Sequence, residues 1–254
     1  MRLAMQQACW NMDDGTDMTQ ENMDTMHPLL PLDRFTGSLS TRVHLVLKDA
    51  ILSLVYKPGE ILRKTEICDT LGVSRSPVSE AVTKLAAEGL VDVVPQAGTF
   101  VSRFSMDDIR EGAFLREALE VAAVERVALS ITEPQIVLLR RNLRMQEALA
   151  EDGDIEGFLQ VDYDMHNLIM SFTGIKRLPI LADSTWTQVS RARNLHMPTP
   201  GRMQAALKEH TAIVDAIIAR DPDTAKAATR DHVRLLVEYI EPLETERPEL
   251  FQPR

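Results

Sequence analysis

Residues 58–102 read PGEILRKTEICDTLGVSRSPVSEAVTKLAAEGLVDVVPQAGTFVS, and the rest of the chain is best read outward from them. The apolar positions Ile67 and Leu71, then Val73, Val78, Ala81, Val82 and Leu85, make two short helical periods interrupted at Gly72. A tight turn between helices favours a residue without a Cβ, and Gly72 supplies it. The second helix is expected to start at Ser74 or Ser76, either of which can cap free N–H groups; Pro77 is tolerated in its first turn and Gly89 stops it. Arg75 then stands at the N-terminal tip, with Ser76, Ser79, Glu80, Thr83 and Lys84 on the outward face. Behind it, the run Val91 to Val94, the turn Pro95-Gln96-Ala97-Gly98 and the run Thr99 to Ser102 read as a two-stranded wing. This order implies a winged head that lays its second motif helix in a major groove. A bare helix-turn-helix pattern can equally be an αα-hairpin with no DNA role; the attached wing argues against that.

Composition first points the other way, since the chain carries 28 basic and 38 acidic side chains for a net charge of −10. The imbalance is not uniform. Residues 1–33 carry a net −5, residues 34–104 a net +2 and residues 105–254 a net −7. Only the proposed head is positive, so non-specific DNA affinity should be weak and binding should depend on site-specific, dimeric contacts. The 254 residues, 44% of them hydrophobic, suffice for two compact cores. No run of eighteen apolar residues suggests a membrane span. Residues 1–33 lack the apolar core of a signal peptide, hold six methionines and are expected to be a disordered leader, with translation able to begin at an internal Met. Cys9 and Cys68 are the only cysteines; a structural disulfide is not expected, which fits a reducing cytoplasm.

From Ser105 onward long helical periods take over without a convincing strand. Helices are expected over about 105–130, 132–151, 154–173, 178–195, 202–220 and 223–241, with another over about 40–55 completing the head. Asp162 and His166, four apart, share one helical face. His210 lies among Ala206, Leu207, Ile213, Val214 and Ile217, and His232 among Ala228, Leu235, Leu236 and Tyr239, so all three histidines point toward a core. A lone histidine on an apolar face is more often a satisfied core residue than a ligand. Three of them with a carboxylate suit a borderline divalent cation, and burying them without a shared partner would be costly. His27, His44 and His196 show no partner pattern and are expected to be exposed or structural. Arg191 and Arg193, after Trp186, can reach a cavity or be solvated, and Glu241 to Arg247 reads as a fraying, solvated tail.

Pro58-Gly59-Glu60, Leu71-Gly72-Val73-Ser74-Arg75, Pro77-Val78, Glu88-Gly89-Leu90 and Gly98-Thr99-Phe100-Val101 resemble the N-terminal domain of GntR-type bacterial transcription regulators. The resemblance implies that Arg75 contacts bases or phosphates, that Lys84 holds a usually basic position, and that the wing tip around Gly98 enters the minor groove. It also expects a second arginine after the Pro-Val pair, where this chain has Ser79. The helical half resembles the FCD domain of the FadR branch, an antiparallel bundle in which many members hold a metal through an Asp-x-x-x-His pair and two later histidines. Asp162 to His166, Glu209-His210 and Asp231-His232 match those positions. In that family the arginine matching Arg116, within FLREALE, faces the cavity and can pair with an acidic effector; the bland alternative is a surface ion pair with Glu120. Relatives often follow the small-Gly pair with Asn, where this chain reads Thr173-Gly174-Ile175.

The expectation is therefore a mainly α protein: leader 1–33, winged helix-turn-helix 34–104, antiparallel all-α bundle 105–245 for dimerisation and ligand binding, and tail 246–254. Its function would be that of a homodimeric, cytoplasmic DNA-binding regulator, a repressor by the habit of its relatives. Double-stranded operator DNA would be read by Arg75, Ser76, Ser79, Thr83, Lys84 and Gly98. A divalent metal, zinc by ligand type with nickel or manganese open, would sit on Asp162, His166, His210 and His232, and a small carboxylic acid effector on Arg116 and Arg191. Two other functions compete: a regulator in which the ion itself is the signal, and a metal-dependent hydrolase. The hydrolase is disfavoured because Asp164 is the one placed general base and no nucleophile motif is present.

Overall fold

The computed structural model describes residues 29–253, apart from the side chains of 183–185. Residues 1–28 of the expected leader, with the internal start sites, Cys9 and His27, fall outside the described residues, as does any pairing of Cys9 with Cys68, whereas residues 29–33 are not the disordered leader expected, since Leu29 and Leu32 pack on the head core. After a single 3₁₀ turn at Leu32–Arg34 the head is built from α1 (Leu39–Leu52), α2 (Lys64–Leu71), α3 (Arg75–Ala87), β1 (Val91–Val94) and β2 (Gly98–Val101). Ser38 caps α1 by accepting from the Thr41 N–H. Gly72 ends α2 in the left-handed region at φ 64°, which lets Val73 N–H donate back to Cys68 O at 3.0 Å and turns the chain into α3. The strands pair antiparallel from Val91↔Val101 to Val94↔Gly98, and Ile61 adds a bridge to Phe100. A core of Val43, Leu47, Ile51, Ile67, Val78, Val82, Leu85, Leu90 and Val101 locks the pieces together. Each such side chain contributes roughly 1.5–3 kcal/mol on burial.

The second unit is helical throughout: α4 (Met106–Ser130), α5 (Glu133–Asp152), α6 (Ile155–Phe172), α7 (Leu178–Thr185), α8 (Thr187–His196), α9 (Arg202–Ile218) and α10 (Pro222–Glu246). Sequence-local signals place most of the starts. Ser105 accepts from Asp108 N–H, Thr132 and Gln135 form a capping box, and Asp154 and Asp221 cap α6 and α10. The long α10 packs along α4, while α5 packs on α6 and α9. The shared core holds Val124, Val127, Leu139, Met165, Ile169, Ile213, Val214 and Ile217.

Two expectations are corrected. The single helix over 178–195 is two, α7 and α8, broken at Trp186. Nothing in the local sequence breaks it; the 2% exposed indole turns into the centre of the unit, edge-on to Tyr163 at 5.8 Å and to His166 at 5.7 Å. Nor is the C-terminal segment a frayed tail. α10 continues through Pro242 to Glu246, and the residues after it fold back on the linker between wing and α4. Phe104 N–H donates to Leu250 O at 2.9 Å, Gln252 N–H donates to Phe104 O at 2.8 Å, and Leu250 and Phe251 are buried with Phe104, Ile109, Val189 and Leu236. Helix α8 also touches the head directly: the Asn194 amide donates to Leu52 O at the end of α1, and the Gln188 amide to Gly89 O after α3.

Candidate metal and DNA sites

In the head, Pro77 and Val78 anchor α3 in the core, and this rotates Arg75, Ser76, Ser79, Glu80, Thr83 and Lys84 to the exposed side. Ser76 Oγ donates to Glu80 Oε1 at 3.3 Å and Thr83 Oγ1 to Ser79 O at 3.0 Å, leaving Arg75 and Lys84 as the cationic ends of the face. At the wing tip Gln96 and Gly98 both have positive φ, 63° and 134°. A Cβ on Gly98 would meet Ile61 Cδ1 at 3.3 Å, so a bulkier residue would disturb the wing.

The second centre lies inside the helical unit, where α6, α9 and α10 bring His166, His210 and His232 together. One ligand atom from each lies within 4.8 Å of the others, and all three side chains are buried. Each ring is held from behind. His166 Nδ1 is 2.8 Å from Glu120 Oε2 of α4, His210 Nδ1 is 2.6 Å from Gln146 Oε1 of α5, and His232 Nδ1 is 2.7 Å from Glu209 Oε2 of α9. The Nδ1 hydrogen bonds of His210 and His232 leave their Nε2 atoms for a common partner, which is how orienting hydrogen bonds prepare imidazoles for a metal, whereas His166 meets Glu120 at ion-pair distance through Nδ1 and takes Arg116 Nη2 on Nε2. Asp162, one turn before His166, points Oδ1 into the same space, 3.3 Å from His166 Nε2 and 3.9 Å from His210 Nε2. Asp162 Oδ1 and His210 Nε2 are buried without a hydrogen-bond partner. These orphaned atoms, in a set of three imidazoles and a carboxylate, fit a divalent cation.

Electrostatics keep the donors in the right protonation state. Burial drives the His210 and His232 imidazoles below their ordinary pKa, well below for His210, so both are neutral and free to donate a lone pair. Burial also pushes the Asp162 carboxyl up, but Arg193, His210 and His166 outweigh it and hold it well below the usual range. Glu209 behaves likewise, its hydrogen bonds to Arg202 and His232 overcoming burial and bringing it down to about 2.

Beside the histidines is a small cavity of about 20 Å³, lined by Arg116, Arg193, Arg202, Met197, Leu236 and Tyr239 among others. Arg116 is where the resemblance puts it, and it also makes the expected pair with Glu120, at 2.5 Å. That pair is not on the surface, because both side chains are under 5% exposed. Its Nη2 lies 3.0 Å from His166 Nε2. Arg191 is placed differently from expectation. It points away from the cavity and stacks over Phe104, 4.5 Å from the ring centroid. Its neighbour Arg193 takes the cavity wall and pairs with Asp162 Oδ2. Two steps along a helix turn a side chain by about 200°, so the two arginines cannot share a face. Sequence reasoning missed Gln146, Glu209 and Arg202 as partners, and gave Arg193 only as able to reach a cavity or be solvated. Asn142 and Gln146, an i,i+4 amide pair on the face that carries Leu139 and Ala150, were the available signal for a buried polar network. His44 and His196 are partnered too, His44 by Glu88 at 2.7 Å and His196 by stacking on Tyr239.

A winged head with an exposed reading helix, joined to an all-α unit with a buried polar centre, defines a two-domain DNA-binding transcriptional regulator. Family comparison matches residues 39–101 to the bacterial regulatory proteins of the gntR family and residues 111–235 to the FCD domain. A Streptomyces ambofaciens HTH-type transcriptional regulator is 32% identical over 209 residues, covering 82% of this chain and 88% of that one. The HTH-type transcriptional repressor RspR of Escherichia coli K12 is 29% identical over 216 residues, 85% of this chain and 95% of that one. Among solved structures, a GntR-type transcriptional regulator from Rhodococcus sp. RHA1 superposes with a TM-score of 0.69 at 25% identity, covering 80% of this chain and 98% of that one. The chain belongs to the GntR family of regulators, in the branch with an FCD domain, and its relatives are regulators, not enzymes. Among the described residues no helix is long and apolar enough to cross a membrane.

Proposed function

We propose that this regulator is a cytoplasmic homodimer that holds a divalent metal on Asp162, His166, His210 and His232 and adjusts its operator affinity to a small organic acid. The observation that carries the reading is the convergence of three buried histidines, His210 and His232 hydrogen-bonded from behind through Nδ1 and His166 set 2.8 Å from Glu120, around an Asp162 Oδ1 without a hydrogen-bond partner. An ion held there would supply a Lewis-acidic point for a carboxylate, zinc being the natural choice for this donor set and nickel or manganese the alternatives. Arg116 supports the acid's site, since a guanidinium recognises a carboxylate with two parallel bonds.

Arg75 leads the DNA contact, with Ser76, Ser79, Thr83 and Lys84 beside it and Gly98 at the minor-groove wing. Phe114 of α4 and Ile180 of α7, 72% and 71% exposed on two packed helices, support a face for the second copy. Two-fold symmetry then calls for a palindromic operator. The acid must bind one arrangement of the heads better than the other to switch anything, and relief of repression is the expected direction.

A second reading, in which the ion is itself the signal, has one observation in its favour. Arg193 on Asp162 and Arg116 on His166 already partner two ligand groups without an ion, so a metal-free state leaves only part of the donor set, Asp162 Oδ1 and His210 Nε2 among it, unsatisfied. Metal analysis by mass spectrometry on the parent and on an Asp162→Ala, His210→Ala double variant tests the site, and operator binding with metal and acid varied separately tests the signal. Near-stoichiometric metal in the parent alone, with acid changing operator affinity at constant metal, is the expected result. Metal-free parent protein would remove the site, and operator release that tracks metal alone would establish the second reading.

A further inference from the structure

We infer that the acid this site takes is a short dicarboxylate, bound between the histidine centre and Arg202. The inference rests on the metal-and-acid reading above and starts from a count of buried charge. Three guanidiniums line the cavity, and each is already matched: Arg116 with Glu120, Arg193 with Asp162, and Arg202 with Glu209 through two bonds of 2.6 and 2.8 Å. All three arginines are 9% exposed or less. Cations and anions therefore balance as the site stands. A divalent cation seated among neutral imidazoles and a carboxylate already committed to Arg193 adds two positive charges with no new anion from the chain. Excess charge shielded from water is unfavourable unless a counter-charge enters with it. A monocarboxylate cancels one of the two; a dicarboxylate cancels both.

The layout gives each carboxylate its own end. Arg116 stands at the histidine side, with Nη2 against His166 Nε2. Arg202 enters from the first turn of α9, its guanidinium 5.1 Å above the Tyr239 ring, and is tied through Glu209 to His232. Met197 and Leu236 supply apolar wall. About 20 Å³ is room for roughly one water, so the ligand must be short and must displace its neighbours to enter. Arg202 commits Nη1 and Nη2 to Glu209, so it is the charge of the ion that calls for a second anionic group and Arg202 that is the cation placed at the far end to meet it.

The test is calorimetric titration of the metal-loaded full chain with succinate, with succinamate, which has the same length but one carboxylate replaced by an amide, and with inorganic phosphate. Metal retention is checked after each run. One charge-assisted contact corresponds to about 10- to 100-fold in affinity, so succinate should bind that much tighter than succinamate, and phosphate weakly. Arg202→Gln should bring succinate to the succinamate level and leave succinamate unchanged, with Arg202→Lys intermediate. Equal affinities for succinate and succinamate, phosphate binding as tightly as succinate, or Arg202→Gln weakening both organic acids alike would each overturn the inference while leaving an acid-responsive metal site in place. Binding of neither organic acid would remove the acid reading of the site as well. Should Arg202→Gln not fold, the comparison of the two acids on the parent protein decides alone.

Discussion

Arg191→Met should make this protein more stable. The side chain is 0% exposed, its Nε, Nη1 and Nη2 all lack a hydrogen-bond partner, and burial lowers its pKa to about 10 despite the pull of Asp92. Against the ordinary 12.5 that shift corresponds to a penalty of about 3 kcal/mol on the charged form, which is the form present at neutral pH. Stacking over Phe104 offsets about 1–2 kcal/mol of it. A methionine keeps the length of the side chain, removes the unsatisfied donors and can place its sulfur against the same ring, for about 0.3–1.5 kcal/mol. The net expectation is a gain of about 1–3 kcal/mol, or several degrees in Tm for a domain of this size. Urea unfolding of parent and variant with matched m-values measures it. A loss of about 1 kcal/mol or more would refute the reasoning, because it would mean that the guanidinium is paired in solution and that the seam between linker and α8 has been misread.

Three further outcomes follow from the same geometry. In metal-free protein, Asp162→Asn strips Arg193 of its hydrogen-bonded carboxylate and should cost about 3–5 kcal/mol; Asp162→Asn combined with Arg193→Met should recover much of it, and strictly additive losses would show that the pair is not coupled. Stability of the metal-free protein should fall as the pH drops below 6.5, where unfolded histidines take up protons that buried His210 and His232 resist. It should fall more steeply from 4.5 toward 2, where Glu209 is still ionised in the fold but protonated in the unfolded chain. Glu209→Gln should flatten the lower part of that profile, measured by chemical denaturation across pH, and an unchanged slope would contradict the placement of Glu209. Arg75→Ala should weaken operator binding by about 1–3 kcal/mol in fluorescence anisotropy without changing Tm, since the side chain is exposed and makes no contact that holds the fold; unchanged binding would move the reading face elsewhere on the head.

The sequence alone determined the parts of this protein whose causes are local. Gly72, Pro77 and Gly89 punctuate the reading head, and Ser38, Ser105, Thr132, Asp154 and Asp221 start helices by satisfying N–H groups within a few residues of themselves. Asp162 and His166 could be set on one face because helical spacing needs no partner. Apolar neighbours turned His210 and His232 inward for the same reason. What lay beyond reach depended on contacts between distant segments. Trp186 breaks a helix because of the core it enters, and Leu250 and Phe251 are buried because a linker some 150 residues earlier leaves an apolar slot beside Phe104. Gln146, Glu120 and Glu209 orient the three imidazoles from three different helices. The choice of Arg193 over Arg191 for the cavity follows from the rotation of α8, which is set by Asn194 and Gln188 gripping the head on one side and Trp186 anchoring the other. Helical periodicity tells which residues share a face, but only packing decides what that face meets.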